Sequence, residues 1–262
     1  MKKIGQMVCE PDYRTGFDRG LWVWKEYDAS CSYLLSADVA RGDGRDYSVF
    51  HVINLNTMEI VAEYQGKPAP DIYAPFLVEI GKQYGSCMMV VENNNIGYTV
   101  IEKVKELGYS NVYHSVKSTH EFVEQYVADG RSDCVPGFTT SGKTRPMIIA
   151  KMEEFIRNGI IRIYSSRLQN ELKTFVWNNN KPEAMRSYND DLVMALAIAC
   201  WVRDTALVLD KKDVEYKKAF INSIFKADSV MDTKISGMSG FRPQKDIQKI
   251  KETQQFAWLY RG

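Results

Sequence analysis

Two apolar runs in this chain end in a carboxylate: residues 33–37, YLLSA, lead into Asp38, and residues 87–91, CMMVV, lead into Glu92. Ending a buried strand in an acid costs free energy unless the acid has a task there. A further pair, Asp190 and Asp191, opens the apolar segment LVMALAIACW. Taken singly, each acid also reads as an ordinary turn or helix cap. Together they suggest something else. If the two strands are parallel neighbours, Asp38 and Glu92 emerge about 4.8 Å apart, one strand spacing. Carboxylates that close repel unless a proton or a cation sits between them. A hard ion, Mg²⁺ or Mn²⁺, takes all-oxygen ligands of this kind. Asp191 on the last helix completes a set of three, with Asp190 and Asp46 as extra or supporting ligands. Such a cluster holds two ions about 3.5–4 Å apart, an arrangement suited to phosphodiester cleavage.

The elements that must position these acids follow from hydrophobic period. Strands are predicted at 32–38, 47–55 and 58–65, the last two so closely spaced that they form a hairpin within a three-stranded meander. A helix over 72–84 followed by the strand 87–91 is a crossover, which makes that strand parallel to an earlier one. Asn93, Asn94 and Asn95 provide helix-start chemistry for 96–107, and a short strand is expected at 111–114. Residues 115–141 read as a long surface loop. A helix over 146–158, a strand at 160–164, a short helix at 167–175 and a helix over 190–203 with Asn189 as N-cap complete the pattern. Residues 1–30 read as a lead-in that packs on the core, 31–203 as the domain, and 204–262 as a C-terminal appendage of changed composition.

Composition excludes several classes of chemistry. The 262 residues carry 34 Lys and Arg against 33 Asp and Glu, so no global basic field announces a polyanion, although a local basic groove is compatible with these totals. The five cysteines are scattered without a CxxC and the three histidines lack metal-ligand spacing, which argues against a disulfide framework and against zinc. No apolar run is long enough to span a bilayer, and the protein is expected to be cytosolic.

Residues 137–144, GFTTSGKT, match the phosphate-loop spacing GxxxxGK[ST]. A true loop of this type follows a buried strand and opens a helix. The preceding ADGRSDCVP does not read as a strand, so no ATP is expected on this chain. The preferred reading is an exposed loop whose Lys143 and Arg145 meet DNA phosphates. Lys117, Arg131 and Arg186 are further candidates for phosphate contact.

The stretches SADVARGDGRDYS, MMVVENNNIGY and SYNDDLVMALAIA, in this order, resemble the nuclease domain of the large terminase subunit of tailed, T4-like phages. PGFTTSGKTRPMIIAKMEEFIRNG resembles that family's segment before the last acid. The resemblance covers roughly residues 33–203. It implies an α/β, RNase H-like fold, in which a mixed sheet of an antiparallel meander plus parallel strands is flanked by helices. Asp38, Glu92 and Asp191 take the places of the family's metal-binding acids; Asp191 is preferred to Asp190, and Asp46 resembles a further acid of the T4-like members. The implied activity is Mg²⁺- or Mn²⁺-dependent cleavage of double-stranded DNA with little sequence specificity. The implied partners are the portal or prohead and an ATPase domain or the terminase small subunit, in the cytoplasm of an infected bacterium. Only about thirty residues precede the nuclease pattern, so the chain resembles a nuclease domain excised from, or encoded apart from, its ATPase. The alternatives are another RNase H-like nuclease, such as a Holliday-junction resolvase, and a catalytically inactive packaging-complex binding module.

Overall fold

The computed structural model describes residues 7–42, 44–116, 134–178 and 181–204. The chain divides into two units, Met1–Leu207 and Val208–Gly262, and every described residue belongs to the first. The expected appendage, apart from Asp204, lies outside the described residues.

The central sheet contains β1 (Tyr13–Thr15), β2 (Leu21–Val23), β3 (Tyr33–Asp38), β4 (Ser48–Asn54), β5 (Glu59–Gly66) and β6 (Met88–Val91), in the order β1-β2-β5-β4-β3-β6. Strands β3, β4 and β5 form the predicted antiparallel meander. The turn between β4 and β5 is closed by Asn54, whose side-chain oxygen accepts from the backbone N–H groups of Asn56 and Thr57. Helix α1 (Pro70–Gln83) then carries the chain over to β6, which pairs in parallel with β3. RNase H-like topology is thereby in place.

Strand alternation sorts the side chains between two helical layers. Tyr33, Leu35, Ala37, Phe50, Val52, Met89 and Val91 join one apolar cluster with Tyr73 and Leu77 of α1 and with Val100, Ile101 and Val104 of α2 (Ile96–Glu106). The opposite face meets α5 (residues 191–204): the hydroxyl of Ser36 donates to the carbonyl of Ala195 at 2.7 Å, and His51 Nε2–H donates to that of Leu192 at 2.9 Å. Helix α5 is apolar almost all round because it is covered on a second side as well. Ile149, Met152 and Phe155 of α3 (Thr144–Arg157) are buried, and Arg203 of α5 lies over the Phe155 ring.

Several sequence expectations need correction. The lead-in supplies two strands, β1 and β2, and β2 pairs with β5. The strand expected at 111–114 runs beside β6 through a single bridge, Met89 to Val112; the regular strand begins at His114, where β7 (His114–Val116) pairs with β8 (Cys134–Pro136) in a separate ribbon. The strand expected at 160–164 is also a single bridge, Glu59 to Arg162. After α4 (Ser166–Thr174), the hairpin β9 (Phe175–Asn178) and β10 (Lys181–Ala184) had no counterpart in the sequence reading. A strand does precede GFTTSGKT, namely β8, but it lies in the two-stranded ribbon outside the central sheet. The amide groups of Lys143 and Thr144 in that segment already donate to Ser141 Oγ, at 3.3 and 3.1 Å. Donors that a phosphate loop would present to its ligand are thus used internally. Among the described residues no helix is long and apolar enough to cross a membrane.

One buried acid ties distant segments together. Glu59 accepts from Lys25 Nζ at 2.6 Å, Thr57 Oγ1 at 2.8 Å, Arg162 at 2.9 Å and the Tyr164 hydroxyl at 2.8 Å. Burial alone would raise its pKa, but these donors outweigh burial and hold it at about 2. A carboxyl depressed in the folded state contributes stability above its unfolded pKa, and that contribution is lost as pH falls through the folded value. Thermal melts should therefore show wild type losing stability from about pH 4.5 down to about 2. Glu59→Gln should remove that part of the slope, on the order of 1–2 kcal/mol after screening of the half-exposed Lys25 and Arg162. An unchanged slope in the variant would refute this account.

Candidate active site

Asp38 follows Ala37 at the end of β3 and so points to the face of Ser36, toward α5. In the parallel register Ala37 lies opposite Val91, and Glu92 N donates to the carbonyl of Ala37 at 2.9 Å. Glu92 therefore leaves β6 beside Asp38 and on the same face. The two side chains are hydrogen-bonded to one another. Burial, then the charge of Glu92, the bond to Glu92 and the charge of Asp191 push the Asp38 carboxyl well above the usual carboxylate range.

Glu92 is held by its successors. Asn94 Nδ2 donates to Glu92 Oε1 at 3.2 Å and to the carbonyl of Thr140 at 2.8 Å, while Asn93 Nδ2 donates to that of Pro136. Asn95 occupies the N-cap position of α2 with φ 48° and makes no side-chain cap, so Asn93 and Asn94 anchor Glu92 and its loop and no asparagine side chain caps the helix. Helix α2 approaches so closely that a methyl group on Gly97 would stand 1.8 Å from the carbonyl oxygen of Glu92. Only glycine fits there.

The neighbours Asp190 and Asp191 diverge. Asp190 is ion-paired with Arg145, whose Nε also donates to the carbonyl of Pro182 at 2.9 Å in β10. Asp191 turns toward the sheet, where its Oδ2 accepts from Tyr47 N at 2.9 Å and Asn189 Nδ2 at 3.1 Å. Burial raises the Asp191 carboxyl, the charges of Asp46 and Asp190 add to that, and the bonds from Tyr47 and Asn189 oppose it. The first helical bond runs from Met194 N to the carbonyl of Asp190, so Asp190 stands at the N-cap position expected for Asn189. Asn189 serves instead to join Asp191 to the carbonyl of Arg45.

Asp46 is exposed and lines, with Glu92, Arg41, Asn94 and Asn95, a cavity of about 400 Å³ beside the strand ends. Among the described residues no group of three or more His, Cys, Asp or Glu side chains is arranged as it stands to hold a metal ion. The geometry present is a pair of adjacent carboxyl groups, Asp38 and Glu92, at the ends of paired strands, with Asp191 close enough to act on Asp38 electrostatically. That donor set suits a hard divalent cation, because a cation relieves the same repulsion that a proton relieves. Of the basic candidates, Lys143 and Arg186 are exposed, and Arg145 is committed to Asp190. Lys117 and Arg131 lie outside the described residues. Trp177 on β9 and Met185 and Tyr188 just beyond β10 are exposed on the segment that leads into Asp190.

The sequence reading missed the residues that support the acids. Glu171 of α4 is buried, and its Oε2 accepts from Leu192 N at 2.9 Å and Val193 N at 3.2 Å. Burial pushes its pKa up to about 8; the charges of Asp191 and Glu63 act in the same direction, and the two amide donors act against it. No local sequence signal marks Glu171, since RLQNELKT reads as an ordinary amphipathic helix.

No protein-family model matches the chain, and no curated protein sequence matches it. Solved structures do. The chain is similar to the large terminase nuclease of thermophilic phage G20c with bound magnesium, at a TM-score of 0.57 and 19% identity, covering 75% of this chain and 93% of that one. The same nuclease with bound cobalt gives a TM-score of 0.56. The large terminase nuclease domain of Thermus phage P74-26 gives 0.55 at 20% identity, over 75% of this chain and 90% of that one. The chain has the RNase H-like fold of large terminase nuclease domains.

Proposed function

We propose that this chain is a metal-dependent endonuclease that cuts double-stranded DNA with little sequence specificity, as the nuclease domain of a phage DNA-packaging terminase. The observation that carries the reading is the convergence of Asp38, Glu92 and Asp191, from β3, β6 and α5, on one sheet face of this fold. Asp38, Glu92 and Asp191 would hold Mg²⁺ or Mn²⁺, two ions in all, with Asp46 at the cavity mouth as a supporting acid. Once bound, the metal supplies an activated water and charge stabilisation for in-line phosphodiester cleavage. The chain's own part is to orient the three carboxylates. Asn94 holds Glu92, Tyr47 and Asn189 hold Asp191, and Arg145 draws Asp190 away from them.

DNA contact is assigned to the exposed Lys143 and Arg186 and to the exposed side chains around the β9–β10 hairpin, Trp177 and Tyr188. Residues 31–203 form the nuclease domain, with 1–30 as its lead-in and 204–262 as an appendage that meets a partner. The portal or prohead and an ATPase domain or small subunit are the proposed partners, in the cytoplasm of the host. The similar G20c nuclease with bound magnesium supports the choice of ion.

Plasmid incubated with the full chain should be nicked and linearised with Mg²⁺ or Mn²⁺ and left intact with chelator. A folded chain that cuts with neither ion, or that ignores the chelator, would overturn the proposal; the first result would favour an inactive binding module. Preference for four-way junctions over linear duplex would move the assignment to a junction resolvase.

A further inference from the structure

We infer that Glu171 is a positioning residue for the metal site: from α4 it seats the first turn of α5 and thereby sets where the Asp191 carboxylate stands. This inference rests on the metal-dependent reading above. Its starting point is a problem common to all helices, whose first amide groups have no partner within the helix. At α5 the problem is acute because Leu192 and Val193 are buried, so water is not there to serve their N–H groups.

The residues next to the helix start are engaged elsewhere. Asn189 donates to Arg45 and Asp191, and Asp190 is held by Arg145. Glu171 supplies the missing acceptor from another helix, with Oε2 taking both amides at 2.9 and 3.2 Å. Its other oxygen accepts from Gln65 Nε2 of β5 at 3.2 Å. The carboxyl plane is thus fixed from the sheet on one side and from the helix on the other. Both oxygens have donors, so Glu171 is placed to orient a ligand and not to be one. The two amides it receives belong to the residues directly after Asp191. Residues that orient the ligands of a metal affect its affinity without touching it.

The test is calorimetric titration of Mn²⁺ into the full chain without DNA, with a thermal melt of each protein. Glu171→Met removes the acceptor at similar size and should weaken Mn²⁺ binding about tenfold. Glu171→Gln still offers one oxygen to both amides and should stay within about threefold of wild type. A purely structural role would lower the melting temperature and leave the affinity of the folded protein unchanged. Wild-type affinity in folded Glu171→Met, or equal weakening in Glu171→Gln and Glu171→Met, would overturn the inference. Should Glu171→Met fail to fold, Glu171→Asp carries the comparison, because it keeps the carboxyl group and withdraws the oxygen by one methylene. Measurably weaker Mn²⁺ binding in it supports the inference, and wild-type affinity refutes it. A folded wild-type chain that binds no Mn²⁺ would overturn the metal reading and this inference with it, whereas wild-type binding with an indifferent Glu171 overturns this inference alone.

Discussion

Asp38→Asn is expected to reduce cleavage of duplex DNA by roughly a thousandfold or more, equivalent to about 4 kcal/mol of transition-state stabilisation, while leaving the fold intact. Asn is isosteric with Asp, so the strand end and its neighbours need not move. What disappears is the central negative charge of the set, which stands next to Glu92 and within the field of Asp191. The variant should also be no less stable than wild type at neutral pH. A carboxyl whose pKa is raised by folding binds its proton more tightly in the folded state, so wild-type stability falls as pH rises above the unfolded value. Asn carries no such penalty. Its advantage over Asp should be absent in acid, where both states of the wild type are protonated, and should grow toward neutral pH. Plasmid cleavage and paired melts across that range check both statements. Substantial cutting by the variant would remove Asp38 from the site.

Arg167→Met is expected to be the most damaging change to stability, costing about 3–5 kcal/mol in urea denaturation. Arg167 Nε donates to Glu63 Oε1 at 2.9 Å, its terminal nitrogens donate to the carbonyls of Glu63 and Gly20, and its guanidinium lies 3.8 Å from the centroid of the Trp22 ring. Glu63 has no solvent exposure, and its other donor is the Ser165 hydroxyl at 2.6 Å. Removing the cation leaves a buried carboxylate without its charge partner, and that is where the large penalty originates. His51 Nδ1, 3.6 Å from Glu63 Oε2, does not compensate, because burial lowers the His51 pKa and favours the neutral ring. A double variant, Arg167→Met with Glu63→Gln, should recover much of the loss, since the uncompensated charge is gone. Equal destabilisation of the single and double variants would show that packing of the Arg stem on Trp22 dominates instead.

Much of this architecture was legible before any coordinates. Long runs with a clear period, β3 to β6, α1, α2 and α3, emerged close to their expected bounds, because alternation and helical spacing are local properties of the chain. Three-residue strands such as Leu21–Val23 carry too little pattern to be read, and their pairing with β5 depends on a segment some forty residues away. The segments 111–113 and 160–164 have strand-like composition and still join the central sheet through single bridges, because composition does not set how long two segments stay side by side. The β9–β10 hairpin is largely exposed, and its apolar residues Phe175, Val176 and Trp177 are consecutive and do not alternate with polar ones, so it had no strand period to show.

The candidate site divides along the same line. By itself the sequence determined that Asp38 and Glu92 end two strands and that the second strand runs parallel to an earlier one, since a helical crossover follows the meander; that the two strands are neighbours was decided by the β3–β6 pairing. The resemblance already favoured Asp191 over Asp190; only the tertiary structure shows what separates the two, with Arg145 from α3 paired to one and the Tyr47 amide bonded to the other. Only the tertiary structure buried Glu63 and Glu171. Glu63 and Gln65 alternate along β5 as a solvent-facing row would, yet that face meets Ser165, Arg167 and Glu171, with α5 against the neighbouring strands. The strand period assigns a side chain to a face; what covers that face depends on contacts made from more than a hundred residues away.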